Sequence, residues 1–254
     1  MEMVQQTSWK SRLRPLVPPL LLHLYREMRY GAAYRDFIAK QQASLHTGVK
    51  AVEFDLPSRT LNELFPGIES QLVSTPVSEL YRPPDMVVPL PELLTLAAIC
   101  RYTQPQSVFE IGTYTGSSTL VMAINVPDST EIVTLDLEPS ETVGIAYRDT
   151  KYASKIRQLY GNSLTFNYSD YLGKIDFVLV DANHSYEYVK SDTEKAFALL
   201  RPGGVIVWDD YRWLDCHAEC VGVTLCLNEL QAKRKVFSIT GTRFAIYVDD
   251  QSQS

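Results

Sequence analysis

The sequence predicts an α/β protein built on a doubly wound, mostly parallel sheet with an antiparallel last strand, preceded by a helical or irregular N-terminal arm. Three observations carry this reading. From Gln106 onward, short apolar runs alternate with helical stretches, the pattern that lays helices on both faces of a parallel sheet. The runs at Val108–Ile111, Ile132–Leu135 and Phe177–Val180 are almost continuously apolar, as strands covered on both sides are. The chain then closes with two short strands around a Thr-Gly-Thr turn, and hairpin chemistry there sends the last strand back antiparallel.

In chain order, Pro91 suits the first turn of a helix running to about Tyr102, with its apolar side on the sheet. The first main strand is Ser107–Ile111, stopped by Gly112. Glycines 112 and 116 bracket a tight loop, and Ser117 and Ser118 can cap a helix with Leu120, Val121 and Ile124 on its inner face. Strand, Gly loop and helix make the first half of a Rossmann-like nucleotide site, where glycines admit a ligand close to the backbone and the helix N-terminus favours an anion. The next strand, Glu131–Asp136, ends in a carboxylate twenty residues after Gly116, placed to accept the hydroxyls of a ribose. Between Asp136 and Lys151, Pro139 and Gly144 argue against a single clean helix. Further strands are expected at Arg157–Tyr160, Ile175–Val180, Gly204–Trp208, Lys235–Ile239 and Arg243–Val248, with helices at Tyr188–Leu200 and Val221–Lys233.

With 254 residues, 45% of them apolar, the chain suffices for one covered α/β domain but not two full ones. We place that domain at 86–250 and an arm at 1–85, with the Pro-rich stretch Tyr81–Pro91 at the boundary. Tyr25–Lys40 could form a helix within the arm, whose role stays open between lid, homodimer contact and packing. A net charge of -6 argues against non-specific binding to nucleic acid or to an anionic membrane. The cysteines at 100, 216, 220 and 226 have no zinc-ligand spacing and read as reduced thiols of a cytoplasmic protein. Leu16–Tyr25 is far shorter than a membrane span needs and fits a signal peptide poorly. It reads as an amphipathic segment, with peripheral membrane contact as the alternative because Lys10, Arg12 and Arg14 precede it.

Strand ends deliver the residues suited to chemistry. Ile175–Val180 carries Asp181 to the carboxyl edge of the sheet, and Gly204–Trp208 carries Asp209 and Asp210 there. Neighbouring side chains on a strand point to opposite faces, so both aspartates reach one cation only if the strand breaks at Trp208. Two charges about 4 Å apart repel by about 4 kcal/mol at an effective dielectric of 20, a cost that Mg²⁺ or another hard divalent ion would remove. The competing reading has Asp209 or Asp210 capping the next segment and Asp181 facing cofactor or solvent. His184, three residues beyond Asp181, is either a base working near neutral pH or a structural partner of a carboxylate. His217 reads as a surface residue, and His23 and His46 carry no signal.

From Ser107 to about Asp250 the sequence resembles class I S-adenosylmethionine-dependent methyltransferases. FEIGTYTGSST resembles their first motif, VTLDLEP the second, and YGNS at Tyr160–Ser163 falls where their adenine-side loop lies. The stretch from Ile175 to Tyr211 resembles the metal-dependent O-methyltransferase branch, of the catechol, caffeoyl-CoA and antibiotic-sugar types. The resemblance implies S-adenosylmethionine on Glu110, Gly112, Thr113, Tyr114, Gly116, Ser117, Asp136, Leu137, Asn162, Ser163 and Asp181. Glu110 would take the ammonium, Asp136 the ribose, and the loop N–H groups the carboxylate. It also implies a divalent metal on Asp181, Asp209 and Asp210, and a small-molecule acceptor bearing a hydroxyl. His184 and Asp181 are then the catalytic pair, although the catechol type has a lysine where His184 stands. Tyr114 replaces the middle glycine of the usual motif, and the first 85 residues carry no such resemblance.

Two other classes compete. An NAD-dependent oxidoreductase would share the Gly loop and Asp136 but should carry G-x-G-x-x-G, whose second glycine is Tyr114 here. A methyltransferase fold kept as a non-catalytic binding module is the other.

Overall fold

A computed structural model describes residues 54–73, 89–211 and 217–249. The expected helix at 25–40, the segment at 16–25, residues 81–88 of the Pro-rich boundary, His23, His46 and Cys216 lie outside these. The described residues belong to one compact unit, 52–254.

Among them eight strands form a single sheet. These are β1 (Ser58–Arg59), β2 (Ser107–Ile111), β3 (Glu131–Asp136), β4 (Ile156–Tyr160), β5 (Ile175–Val180), β6 (Leu200–Trp208), β7 (Val236–Ile239) and β8 (Ala245–Val248). Their order is β1-β7-β8-β6-β5-β2-β3-β4. β8 runs antiparallel to both neighbours, as the hairpin turn predicts, and every other pairing is parallel. The switch of direction between β2→β3 and β2→β5 opens a crevice at the carboxyl ends of the strands, the usual ligand position in this architecture.

Alternation along the buried strands sorts side chains onto two faces. Val108, Phe177, Leu179, Val205 and Val207 join one core with helix α1 (Leu90–Thr103) and helix α2 (Ser117–Asn125). Phe109, Ile111, Val178, Val180, Ile206 and Trp208 join the other, under α3 (Tyr186–Leu199) and α4 (His217–Leu230). Buried Trp208 finds a partner for its indole N–H in Thr193 Oγ1 at 2.9 Å, which removes the cost of enclosing that donor. Residues 54–73 are part of this unit: Ser58–Arg59 adds an edge strand, and Phe65 and Ile68 enter the first core.

The structure corrects several details. Neither Ser117 nor Ser118 caps α2, because left-handed Gly116 occupies the N-cap and makes no side-chain bond. That helix also buries more than the expected stripe, since Met122 and Ala123 are enclosed along with Leu120 and Val121. β6 begins at Leu200 rather than Gly204, through an irregular register opposite Ile175–Phe177. The polar connection after Asp136 forms successive turns and no long helix, as its Pro and Gly suggest. Cys100, Cys220 and Cys226 are buried thiols outside any disulfide.

Candidate active site

A cavity of about 490 Å³ opens at the carboxyl edge of β2, β3, β5 and β6. It is lined by the Gly loop, Asp136, Leu137, Asn162, Ser163, Asp181, His184, Asp209, Asp210 and Arg243. Every residue assigned to cofactor from the sequence reaches this wall except Glu110 and Gly116.

Glu110 lies beneath the loop, fully enclosed, and accepts from the hydroxyls of Ser118, Thr119 and Thr134. Burial pushes its pKa up to about 7, against the pull of those three donors. The expected ammonium contact is therefore replaced by a structural one: Glu110 ties α2 and β3 to the base of the loop. Gly116 has the same kind of role. A β-carbon there would lie 2.6 Å from the Tyr147 ring, so this glycine admits a protein side chain, not a ligand. Tyr147 belongs to the polar connection, which docks on the loop through Gly144 N to Tyr114 O and Ala146 N to Thr115 O, at 2.8 and 2.9 Å.

Asp136 sits on the cavity wall, as expected of a ribose-binding carboxylate. Its Oδ2 accepts from the amides of Thr113 and Tyr114 at 3.2 and 2.7 Å, and its Oδ1 from Leu137 N at 2.7 Å. The loop N–H groups at 113 and 114 thus hold this side chain. Ser117, in the first turn of α2, also reaches the wall. Tyr114 takes a left-handed φ of 45° and stays exposed at the mouth. Asn162 and Ser163 shape their own loop: Asn162 Nδ2 donates to Tyr188 Oη at 3.1 Å, and Ser163 Oγ to Asp192 Oδ2 at 3.2 Å.

Asp181, Asp209 and Asp210 converge. Each offers a carboxylate oxygen, and the three oxygens lie within 4.8 Å of one another. The backbone explains how adjacent aspartates share a point. β6 ends at Trp208, Asp209 N still bonds Val180 O at 3.1 Å, and Asp210 then turns left-handed with φ 64°. Asp210 N donates back to Asp209 Oδ1 at 2.7 Å, closing the turn. Burial, then the neighbouring carboxylates, raises the pKa of Asp181 well above the ordinary range and that of Asp209 to about 7.

His184 Nε2 lies 2.9 Å from Asp210 Oδ2, so its carboxylate partner is Asp210 and not Asp181. Sequence reasoning missed Arg243. Its Nη2 is 3.2 Å from Asp209 Oδ2 and its Nη1 3.1 Å from Asp210 Oδ1. Burial disfavours the Arg243 charge, but Asp209, Asp210 and Glu92 outweigh that and raise its pKa. No local pattern marks this residue, because it comes from the β7–β8 turn and meets the aspartates only through the sheet. The donor set suits a hard divalent cation: three carboxylates offer converging oxygens beside one guanidinium.

Sheet order, Gly loop and strand-end carboxylates together resemble the arrangement of a Rossmann-like methyltransferase domain. Residues 109–211 match the family model described as a methyltransferase domain. A caffeoyl-CoA O-methyltransferase from Stellaria longipes is 29% identical over 125 residues, covering 46% of this chain and 51% of that protein. Tricin synthase 2 from Oryza sativa subsp. japonica is 27% identical, covering 46% and 42%. The chain thus spans about half the length of the curated relatives it matches. Among solved structures, the O-methyltransferase TomG from Streptomyces achromogenes, in complex with SAM, superposes with a TM-score of 0.51 at 24% identity, covering 66% of this chain and 83% of that one. Cofactor-bound Rv0187 from MTB gives 0.55 at 21% identity, covering 84% and 95%. At these identities the structural likeness establishes the fold. Among the described residues, no helix is long and apolar enough to cross a membrane.

Proposed function

We propose that this protein transfers the methyl group of S-adenosylmethionine to a hydroxyl of a small molecule, a phenol or a sugar, with a divalent cation at the carboxylate cluster. The observation that carries the reading is a single cavity whose wall holds the Gly loop and Asp136 on one side, and three converged aspartates with His184 on the other.

Cofactor binding rests on the chain's own groups. Of the roughly four lone-pair sites of the Asp136 carboxylate its N–H donors from Thr113, Tyr114 and Leu137 leave one, which can accept from a ribose hydroxyl. Leu137 is largely exposed beside it and offers an apolar face to a base. The sulfonium already activates the methyl group, so the protein's task is to hold an acceptor oxygen in line with it. Asp181, Asp209 and Asp210 would hold the cation, which supplies Lewis acidity to the acceptor hydroxyl when bound. His184 is the proton acceptor. Paired with Asp210 through Nε2, the imidazole would take the hydroxyl proton as the oxygen attacks. The acceptor oxygen gains the methyl carbon, the carbon–sulfur bond breaks, and its electron pair returns to sulfur.

Direct assay tests this. Full-length protein, S-adenosylmethionine and Mg²⁺ are incubated with catechol, hydroxycinnamoyl thioester and aminosugar acceptors, and S-adenosylhomocysteine release is followed. Release that depends on both an acceptor hydroxyl and the metal supports the reading. Tight binding of NAD with no affinity for S-adenosylhomocysteine would overturn it in favour of an oxidoreductase.

A further inference from the structure

Asp209 and Asp210 are buried, at 5% and 3% exposure, and burying like charges together demands a counter-charge. The chain supplies one of its own. Arg243 spans the pair, with Nη2 at 3.2 Å from Asp209 and Nη1 at 3.1 Å from Asp210. It is anchored from behind: its main-chain N–H donates to Glu92 Oε1 at 3.1 Å, its Nε lies 3.6 Å from the same oxygen, and its carbonyl accepts from Tyr211 N at 2.9 Å. A planar guanidinium held this way presents two nitrogens at a set spacing, which a lysine could not do.

We propose that Arg243 is the resident counter-cation of the carboxylate pocket. It converges Asp209 and Asp210 before any metal arrives, and by remaining beside them it keeps a divalent cation weakly held and exchangeable. The second half rests on the metal reading above; the first does not. Arg243 and a metal draw on the same two carboxylates, so they compete for electron pairs and repel as like charges. The pocket still admits one divalent ion, because three carboxylates converge there beside a single resident cation.

The test is calorimetric titration of Mn²⁺ into the full chain, paired with melting curves in chelator and in excess Mn²⁺. Arg243→Met should bind Mn²⁺ about tenfold tighter or more, since a nearby positive charge is gone. In chelator this variant should melt well below wild type, and Mn²⁺ should return most of the difference. Wild type should melt almost equally with and without Mn²⁺. The double variant Arg243→Met/Asp209→Asn removes the stranded charge, and should melt above Arg243→Met in chelator. A cooperatively folded Arg243→Met that binds Mn²⁺ no tighter than wild type would overturn the competition. A double variant no more stable than the single one would overturn the counter-cation role. If S-adenosylhomocysteine binds both proteins while neither takes up Mn²⁺, the metal reading itself fails, and the double-variant melt alone decides the counter-cation role.

Discussion

The main chain of Gly112 lies directly against that of Asp181. The Asp181 amide donates to the Ile111 carbonyl at 2.9 Å, and a β-carbon on Gly112 would stand 2.8 Å from the Ala182 α-carbon and closer still to the Asp181 carbonyl oxygen. The Gly loop and the carboxylate cluster are therefore one packed unit. Gly112 also has φ 105°, a conformation open to glycine at little cost. Gly112→Ala should cost about 3 kcal/mol from left-handed strain and overpacking. Denaturant melts and S-adenosylhomocysteine titration should show stability and binding falling together. Wild-type values in both would mean the loop yields without consequence.

Asp136 gives a cleaner test of the nucleotide half, because it accepts only loop amides and lies on the cavity wall. Asp136→Ala should weaken S-adenosylhomocysteine by about 1.5–3 kcal/mol, the scale of hydrogen bonds to a charged group. Calorimetry that finds no change would remove Asp136 from the ribose site.

Glu110 predicts a pH dependence of stability. Its carboxyl is raised by burial from 4.5 to about 7 in the folded protein. Protonated Glu110 therefore contributes stability that is fully present below pH 4.5 and is lost as pH rises through about 7. Glu110→Gln does not titrate, so across that window the stability difference should move in favour of the variant by about 3 kcal/mol. Parallel pH profiles of the two proteins would contradict the assignment.

His184→Ala should lower turnover by about 10²–10⁴-fold while leaving S-adenosylhomocysteine affinity nearly intact. Raising the pH should restore part of the rate, because the acceptor then ionises unaided. Since His184 faces Asp210, a purely positioning role makes a different prediction. Metal affinity would fall, and excess Mg²⁺ rather than alkali would rescue turnover.

How far the site could be read from the sequence follows from where its determinants lie. Ser107–Ile111, Glu131–Asp136 and Ile175–Val180 appear at their predicted bounds, because each is an apolar run ended by a loop residue. Convergence of Asp209 and Asp210 requires a break at Trp208, and the left-handed turn at Asp210 supplies it. Contacts across long stretches of chain were not legible. Arg243 meets the aspartates from the far hairpin, and Tyr147 packs on Gly116 from a turn-rich connection. Glu110 looked like a ligand residue because its three hydroxyl partners sit on two other elements. Only Ser118 and Thr119, adjacent hydroxyls in the first turn of the helix behind the loop, hint that its carboxylate is enclosed.

The central claim is that cofactor and cation share one cavity, and a crystal of the full chain grown with S-adenosylhomocysteine and Mn²⁺ tests it most directly. S-adenosylhomocysteine should lie along the Gly loop with its ribose at Asp136, and an anomalous Mn²⁺ peak should be bounded by Asp181, Asp209 and Asp210. S-adenosylhomocysteine bound elsewhere, or Mn²⁺ absent from those three carboxylates while the cofactor occupies the cavity, would contradict it.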